Sequence, residues 1–254
     1  MIRYFFLFLI FLWQACPAQR YTSAAIFAHN DYEKPIPFEV AYKANVGFIE
    51  ADVFLRDENL FVAHESKQIQ IDKTLETLYL NPLNKLIEKN GGYAYADKDQ
   101  SLTLMIDLKT EGVATVNTLI VKLKNYPRLI ECKTLLITLS GNMPAPALWS
   151  NYPDYIHFDG RPGIIYTPEQ QTRIRLVSDS FRDYSAWNGK EVLSKSDEEK
   201  INRVIKAAHA MNKPFRFWAI PDFPESWIKL MELDVDILNT DDVAGLATFL
   251  KERK

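Results

Sequence analysis

The 254-residue sequence contains only two cysteines, Cys16 and Cys132, and this scarcity limits how the fold can be stabilised. If Cys16 is removed by processing or carries a lipid, Cys132 is left alone and no disulfide can form within the chain. The hydrophobic core must then hold the fold without a covalent link. This is reasonable at this length, because domains of this size bury most of their apolar surface.

The sequence also lacks an excess of positive charge. Its 30 lysines and arginines are outnumbered by 33 aspartates and glutamates, which gives a formal net charge of −3 at pH 7. We therefore expect no face that binds nucleic acid and no polybasic membrane anchor. Histidine is scarce as well: the four histidines include no His-x-His pair, which disfavours a zinc hydrolase barrel built on grouped histidines.

No Ser/Gly/Pro-rich linker and no internal repeat divides the sequence. Helix-like and strand-like segments alternate as far as the C-terminus, which favours one domain over two. We predict that this single domain covers residues 19–254.

The apolar run over residues 4–13 is too short to span a bilayer, for which roughly 20 residues are needed. Its length, the preceding Arg3 and the small residues of Cys16-Pro17-Ala18 are typical of a secretory signal cleaved before Gln19. We predict a signal peptide over residues 1–18 and an exported, periplasmic or extracellular protein. Lipidation at Cys16 and a buried apolar N-terminal helix are the alternatives.

Eight apolar runs have the length and composition of strands. They cover residues 24–28, 48–53, 102–106, 134–139, 155–158, 174–177, 215–219 and 235–238. Segments with helical periodicity lie between them, over residues 38–44, 75–89, 113–124, 197–211, 224–232 and 243–251. Alternating strands and helices indicate a parallel sheet, and this number of strands matches a (β/α)₈ TIM barrel better than an open sheet. The predicted fold class is α/β, a single-domain TIM barrel.

Polar side chains follow every predicted strand, at the carboxyl ends where the functional groups of such barrels lie. In chain order they are His29 and Asn30, Glu50 and Asp52, Asp107 and Lys109, Ser140 and Asn142, Asp159, Ser178 and Asp179, Trp218 and Asp222, and Asn239 and Asp241. This arrangement predicts a functional site at that end of the barrel.

Glu50 and Asp52 are two residues apart on a predicted strand, so both side chains leave the same face. Two carboxylates directed at one place repel each other unless a cation lies between them, and burying them unpaired would be very costly. Asp107, on the neighbouring strand, is a candidate for a third ligand. Oxygen ligands suit a hard ion, so we predict one divalent cation, Ca²⁺ or Mg²⁺. An exposed carboxylate pair, or carboxylates held in ion pairs, is the alternative.

His29 and His64 each follow an apolar, strand-like segment. In phosphodiester cleavage one imidazole can act as base or nucleophile while the other protonates the leaving alkoxide, and histidine suits both roles because its pKa is near neutrality. His157 and His209 fit ordinary core or surface positions instead. Lys109, two residues after Asp107, is a candidate for neutralising phosphoryl charge, or else a surface lysine at a strand end.

The order of these motifs resembles that of the PLC-like phosphodiesterase superfamily, which includes glycerophosphodiester phosphodiesterases, bacterial phosphatidylinositol-specific phospholipases C and the sphingomyelinase D toxins. The motifs concerned are His29-Asn30, Glu50-x-Asp52-Val, His64-Glu65 and Ile-Asp107-x-Lys109. The second half is similar to the altered-inheritance-of-mitochondria branch of that superfamily, through Phe181-Arg182-Asp183-Tyr184, Trp187-Asn188-Gly189, Ala208-His209, Arg216-Phe217-Trp218-Ala219-Ile220-Pro221-Asp222 and Asp236-Ile237-Leu238-Asn239-Thr240-Asp241-Asp242. The resemblance implies a (β/α)₈ barrel with Ca²⁺ or Mg²⁺ on the three carboxylates and the two histidines as the acid–base pair.

The chain departs from the family pattern at the second and third positions of its first motif, where glycerophosphodiesterases usually have His-Arg-Gly and this chain has His29-Asn30-Asp31. The arginine of family members would contact phosphate as a bidentate cation, whereas Asn30 offers a neutral amide. The phosphate is then expected to rest more on the metal and on Lys109. Asn30, Trp218, Asp222 and Asn239 are the candidate substrate-binding residues; the indole of Trp218 could pack on a cationic head group or roof the barrel.

We therefore predict a phosphoric diester hydrolase that acts on a glycerophosphodiester or phospholipid-like substrate, a small molecule or a lipid head group, without a stable membrane span. One alternative is a barrel that binds a metal and a phosphorylated ligand without turnover, although such a module has no need of an acid–base pair. Another is an unrelated metal-dependent barrel such as a sugar isomerase, which would be inactive on a phosphodiester.

Overall fold

The computed structural model describes residues 21–253, in which nine strands and eight α-helices alternate. The strands are β1 (Ile26–Ala28), β2 (Phe48–Arg56), β3 (Asn59–Val62), β4 (Leu102–Leu108), β5 (Leu135–Gly141), β6 (Ile156–Gly160), β7 (Ile174–Ser180), β8 (Phe215–Trp218) and β9 (Leu238–Thr240). The helices are α1 (Glu39–Lys43), α2 (Asn81–Lys89), α3 (Gly112–Leu123), α4 (Pro127–Glu131), α5 (Pro168–Arg173), α6 (Lys195–Ala210), α7 (Pro224–Glu232) and α8 (Val243–Glu252). A π-helical turn, Glu76–Leu80, leads directly into α2.

Eight of the strands within residues 21–253 run parallel in the order β8-β7-β6-β5-β4-β2-β1-β9. The ring is nearly closed between its first and last members, where the backbone N–H groups of Asp236 and Ile237 each donate to the carbonyl oxygen of Phe215 at 3.1 Å. The helices pack around the outside and bury the outward-facing side chains of the strands. The predicted α/β TIM barrel in a single domain is confirmed.

Every second residue of a strand points into the barrel, and these inward side chains form two layers. A small apolar cluster of Phe27, Phe48, Met105, Leu176 and Ile237 fills the lower layer. Two residues further along the same strands, the inward positions become polar; the sequence Phe48, Glu50, Asp52 on β2 is the simplest case. The site is therefore built on rigid strands directly above an apolar plug.

The strand β3 is a difference from the sequence-based expectation. It pairs antiparallel with the end of β2, and the two are joined by a tight turn at Asp57 and Glu58. Both turn residues have positive φ, 48° and 59°, a conformation usually signalled by glycine or asparagine, so the turn could not be recognised from its residue types. The hairpin matters for function because the chain leaves it at His64.

Other differences concern the ends of elements. The last predicted strand, residues 235–238, is Leu238–Thr240 in the structure, and the first begins as a 3₁₀ turn, Ser23–Ala25, before β1. The helices α4 and α5 were not predicted because five and six residues are too short to show helical periodicity.

The predicted signal segment, residues 1–18, lies outside the described residues, so the domain boundary at residue 19 stays a prediction. Within residues 21–253, no helix combines the length and the apolar character needed to cross a membrane. Cys132 is a buried free thiol.

Candidate active site

A cavity of about 500 Å³ opens at the carboxyl ends of the barrel strands. Eight of the ten predicted site residues line it: His29, Asn30, Glu50, Asp52, His64, Asp107, Lys109 and Trp218. The two others, Asp222 and Asn239, lie outside this lining. The parallel strands thus bring together side chains that are widely separated in the sequence.

Three carboxylates converge on one side of the cavity. Glu50, Asp52 and Asp107 each offer an oxygen, and these three oxygens lie within 4.8 Å of one another. Asp52 and Asp107 are paired in register across β2 and β4. Burial, and then the charge of Glu50, raises the pKa of Asp52 to about 6. This set of carboxylate oxygens, two of them from buried residues, fits a hard divalent cation, which would relieve the repulsion between them.

Lys109 bridges two of these carboxylates. Its Nζ lies 2.9 Å from Asp52 Oδ2 and 2.9 Å from Asp107 Oδ1. Burial opposes the charge of the ammonium group, but the charges of Asp107 and Asp52 outweigh it and raise the pKa of Lys109 to about 12. Each carboxylate has further lone pairs, so the ammonium and a metal ion can share them.

Arg216 is a second cation next to the carboxylates, and no catalytic, metal-binding or substrate-binding role was predicted for it from the sequence. It points inward from β8 and is buried, with Nη2 3.7 Å from Glu50 Oε1. Its Nε and Nη2 donate to Asn239 Oδ1 at 2.9 and 2.6 Å, and its Cζ lies 3.4 Å from the centroid of the Phe27 ring. Asn239 therefore lies behind Arg216 and orients the guanidinium toward Glu50.

We expect Arg216→Met to lower the free energy of unfolding by about 3–5 kcal/mol, because the buried Glu50 carboxylate would lose its buried cationic partner. Urea unfolding measures this loss. Arg128→Met is the control, since that arginine forms a surface ion pair with Glu88 at 2.7 Å and should contribute less than about 1 kcal/mol. A similar loss in the two variants would contradict the role assigned to Arg216.

His29 immediately follows β1, and Asp241 orients its ring. The Nδ1 atom lies 2.9 Å from Asp241 Oδ1, so the neutral imidazole donates its proton there and keeps Nε2 free. That Nε2 faces the carboxylates, 3.7 Å from Glu50 Oε2. Burial opposes protonation of the ring, but the hydrogen bond to Asp241 and the charge of Glu50 outweigh it, so the pKa of His29 is raised.

Asp222 supports this arrangement from outside the cavity lining. Its Oδ2 accepts hydrogen bonds from the backbone N–H of Asp241 at 2.7 Å and from the hydroxyl of Thr240 at 3.0 Å. Its Oδ1 accepts from the indole N–H of Trp227 at 2.7 Å. These contacts fix the turn after β9 that carries Asp241 to His29.

His64 is half exposed and is connected to the carboxylates through Tyr32, which the sequence analysis did not identify. The Tyr32 hydroxyl lies 2.7 Å from Asp52 Oδ2 and 3.0 Å from His64 Nδ1. Burial and the charge of Asp52 raise the pKa of Tyr32 far above its ordinary value, so the phenol stays protonated and donates to Asp52. His64 Nδ1–H then donates to the phenol oxygen, which leaves Nε2 free to exchange a proton.

Asn30 has a backbone role that explains its residue type. Its φ is 48°, in the left-handed region that asparagine tolerates better than most residues. In this conformation its backbone N–H donates to Glu50 Oε2 at 3.2 Å. Its backbone N–H therefore helps to hold Glu50 at the mouth of β1, while its amide oxygen lies 2.9 Å from the Tyr32 hydroxyl, whose single proton goes to Asp52.

Two further residues line the cavity. Trp218 lies at its edge with 42 % of its surface exposed. Arg161, immediately after β6, forms an ion pair with the buried Asp159. Asp159 was among the polar residues predicted at the strand ends, whereas no role was predicted for Arg161, because an isolated arginine in a loop cannot be distinguished from a surface residue by its pattern.

The chain is similar to known proteins in sequence and in fold. Residues 18–129 match the family model described as the AIM6-like phosphodiesterase domain. The Altered inheritance of mitochondria protein 6 homolog of Arthroderma benhamiae is 26 % identical, over 86 % of this chain and 81 % of its own length. The resemblance to the altered-inheritance-of-mitochondria branch is confirmed. Altered inheritance of mitochondria protein 6 of Kluyveromyces lactis is also 26 % identical, over 88 % of this chain and 71 % of its own length.

The AIM6-like match includes the three carboxylates, both site histidines and Lys109, and it ends before Arg161 and Arg216.

Solved structures extend the likeness of the fold to the whole barrel. A glycerophosphodiester phosphodiesterase from Parabacteroides distasonis superposes with a TM-score of 0.55 at 14 % identity, over 90 % of this chain and 96 % of that one. A structure from Silicibacter pomeroyi gives 0.54 at 12 % identity, over 91 % of each chain. At such identities the superpositions show a shared barrel fold.

The AIM6 relatives correct the predicted location. They are fungal proteins named for the altered inheritance of mitochondria, and this contradicts the predicted exported, periplasmic or extracellular location. The prediction was wrong because it rested on one positive charge, an apolar run and small residues near Cys16. That composition is compatible with export but does not require it.

Proposed function

We propose that the protein is a divalent-metal-dependent phosphoric diester hydrolase with His29 and His64 as its acid–base pair. One observation carries this proposal: a triad of carboxylates and two imidazoles, each with Nδ1 held by a protein partner, line the same cavity. The AIM6-like phosphodiesterase match and the fold shared with a glycerophosphodiester phosphodiesterase support the reaction class. They favour a glycerophosphodiester or phospholipid-like substrate.

Glu50, Asp52 and Asp107 would hold the cation, Mg²⁺ or Ca²⁺, because all three ligands are carboxylate oxygens. When bound, such an ion lowers the charge on the phosphoryl oxygens and orients the scissile group. Lys109, which already contacts two of the three carboxylates, is placed to neutralise the charge that develops on the phosphoryl group.

The two histidines divide the proton transfers between them. His29 takes a proton at Nε2 from the attacking oxygen, and Asp241 stabilises the imidazolium that results. As the new P–O bond forms, the bond to the leaving alcohol breaks, and that oxygen receives the Nε2 proton of His64, which enters this step as the imidazolium with its Nδ1–H on Tyr32. Attack by a hydroxyl of the substrate would give a cyclic phosphate, whereas attack by water would hydrolyse the diester directly.

The remaining residues position these groups or meet the substrate. Trp218 and Asn30 line the cavity and are proposed to contact the part of the substrate beyond the phosphate. Asp222 acts through Asp241 on His29, and Asn239 acts through Arg216 on Glu50. We therefore assign these two as positioning residues in place of the substrate contacts expected from the sequence.

The proposal is tested by ³¹P NMR of glycerophosphodiesters incubated with the full-length protein and Mg²⁺ or Ca²⁺. We expect the diester resonance to be replaced by that of a phosphomonoester or a cyclic phosphate, and the product identifies the attacking group. An unchanged diester resonance, in a sample for which calorimetry shows bound ion, would favour a barrel that binds metal without turnover.

A further inference from the structure

We propose that Arg161 binds the phosphoryl group of the substrate and so supplies the cation that position 30 lacks. This inference rests on the proposed phosphodiesterase function and names the residue that recognises the anion. It also places anion recognition on the side of the barrel formed by β5, β6 and β7, across the cavity from β1.

Arg161 is held by polar side chains from three consecutive strands. Ser140 on β5 and Ser178 on β7 both donate their hydroxyl protons to Asp159 Oδ2 on β6, and this carboxylate is fully buried. The guanidinium forms an ion pair with the same carboxylate through Nη1. It also donates to both serine hydroxyl oxygens, at 3.1 Å in each case.

The backbone after β6 adds a further restraint, because the Arg161 N–H donates to the hydroxyl of Tyr166 at 2.8 Å. A side chain fixed in this way loses little conformational freedom when it binds a ligand. Its five N–H donors exceed the bonds it makes inside the protein. Among the described residues, Nη1 and one N–H of Nη2 are used within the protein, Nε–H and the other Nη2–H have no hydrogen-bond partner, and the side chain is 31 % exposed where it lines the cavity.

The position of Arg161 relative to the carboxylates fits contact with one and the same phosphate. Ser140, which accepts from Arg161, is the cross-strand partner of Asp107 in the β4–β5 register. Burial opposes the charge on Arg161, but Asp159 and then Asp107 outweigh it and raise the pKa of the guanidinium. A phosphoryl group at the carboxylate triad can therefore direct another of its oxygens toward the two unused donors.

The test compares Arg161→Gln with wild type, using KM for a phosphodiester and the affinity for inorganic phosphate by calorimetry, both in the presence of Mg²⁺ or Ca²⁺. We expect KM to rise and the affinity for phosphate to fall, each by roughly 10- to 100-fold, as for loss of a charged hydrogen bond. The affinity for the divalent ion should stay unchanged. Arg161→Lys should recover only part of the loss, since it keeps the charge but not the fork geometry.

Arg128→Gln is the matched control, since it removes one surface guanidinium from α4 and should leave both affinities unchanged. Because Arg161→Gln leaves Asp159 buried without its cation, Asp159→Asn/Arg161→Gln provides a second variant in which neither charge is unpaired. We expect it to show the same loss of phosphate affinity. The inference is overturned if a folded Arg161→Gln or Asp159→Asn/Arg161→Gln protein binds phosphate with wild-type affinity.

The outcomes separate this inference from the proposed function. If wild type turns over a phosphodiester and Arg161→Gln has the same KM and phosphate affinity, Arg161 is structural and the function stands. If wild type has no turnover but its phosphate affinity still depends on Arg161, the anion site stands and the proposed reaction fails. Absence of phosphate binding by wild type would overturn the assignment of Arg161.

Discussion

Replacing His29 with glutamine is expected to lower kcat for phosphodiester cleavage by roughly 10²- to 10⁴-fold, the range found for loss of a general acid–base group. Glutamine keeps much of the size and hydrogen-bonding capacity of the ring, but it cannot take the proton that Nε2 accepts next to Glu50. Steady-state kinetics on the full-length protein measure this effect, and calorimetry with Mg²⁺ or Ca²⁺ should show unchanged ion binding.

His209→Gln is the matched control for this experiment. His209 also forms a histidine–aspartate pair, with Nε2 2.6 Å from Asp236 Oδ2, but it lies on α6 and does not line the cavity. We expect its kcat to equal that of wild type. A His29→Gln protein with wild-type kcat would remove His29 from the reaction, whereas an equal loss in both variants would indicate a general effect on the fold.

The second large effect concerns the divalent cation and stability. A ligand that binds only the folded state stabilises it by about 2.7 kcal/mol at a free concentration of 100 times its Kd. For a protein of this size such a gain raises Tm by roughly 5–10 °C. We expect Mg²⁺ or Ca²⁺ to produce this increase in wild type and to have almost no effect on Asp52→Asn, which lacks one of the three charged ligands.

Asp57→Asn is the control for the loss of a carboxylate. Asp57 is exposed in the β2–β3 turn at a φ of 48°, which asparagine tolerates, and it does not line the cavity. Thermal unfolding of the three proteins, with EDTA and with added ion, gives the comparison. A full increase in Tm in Asp52→Asn would mean that the ion binds elsewhere on the protein.

The sequence was sufficient to predict the barrel, and eight of the ten predicted site residues line its cavity, although their roles stay predictions. The reason is periodicity: inward positions recur every second residue, so the acids of β2 and β4 had to share a face, and parallel strands bring their carboxyl ends together. Histidines directly after strand-like runs could be placed at the same end by the same argument.

Other parts of the site depend on contacts that periodicity does not reveal. Asp222 and Asn239 follow strands in the sequence, but the depth of a side chain below the mouth of the barrel is set by packing, which places them behind Asp241 and Arg216. Tyr32 likewise gains its role only because β1 and the end of the β2–β3 hairpin meet at His64. These contacts join elements far apart in sequence, and residue type alone cannot indicate them.

The most direct test of the central claim is the initial rate of phosphodiester cleavage by the full-length protein before and after removal of divalent ions. We predict that EDTA abolishes the rate, that Mg²⁺ or Ca²⁺ restores it in wild type, and that neither ion restores it in Asp107→Asn. An undiminished rate in EDTA, or a restored rate in Asp107→Asn equal to that of wild type, would contradict a metal held by Glu50, Asp52 and Asp107.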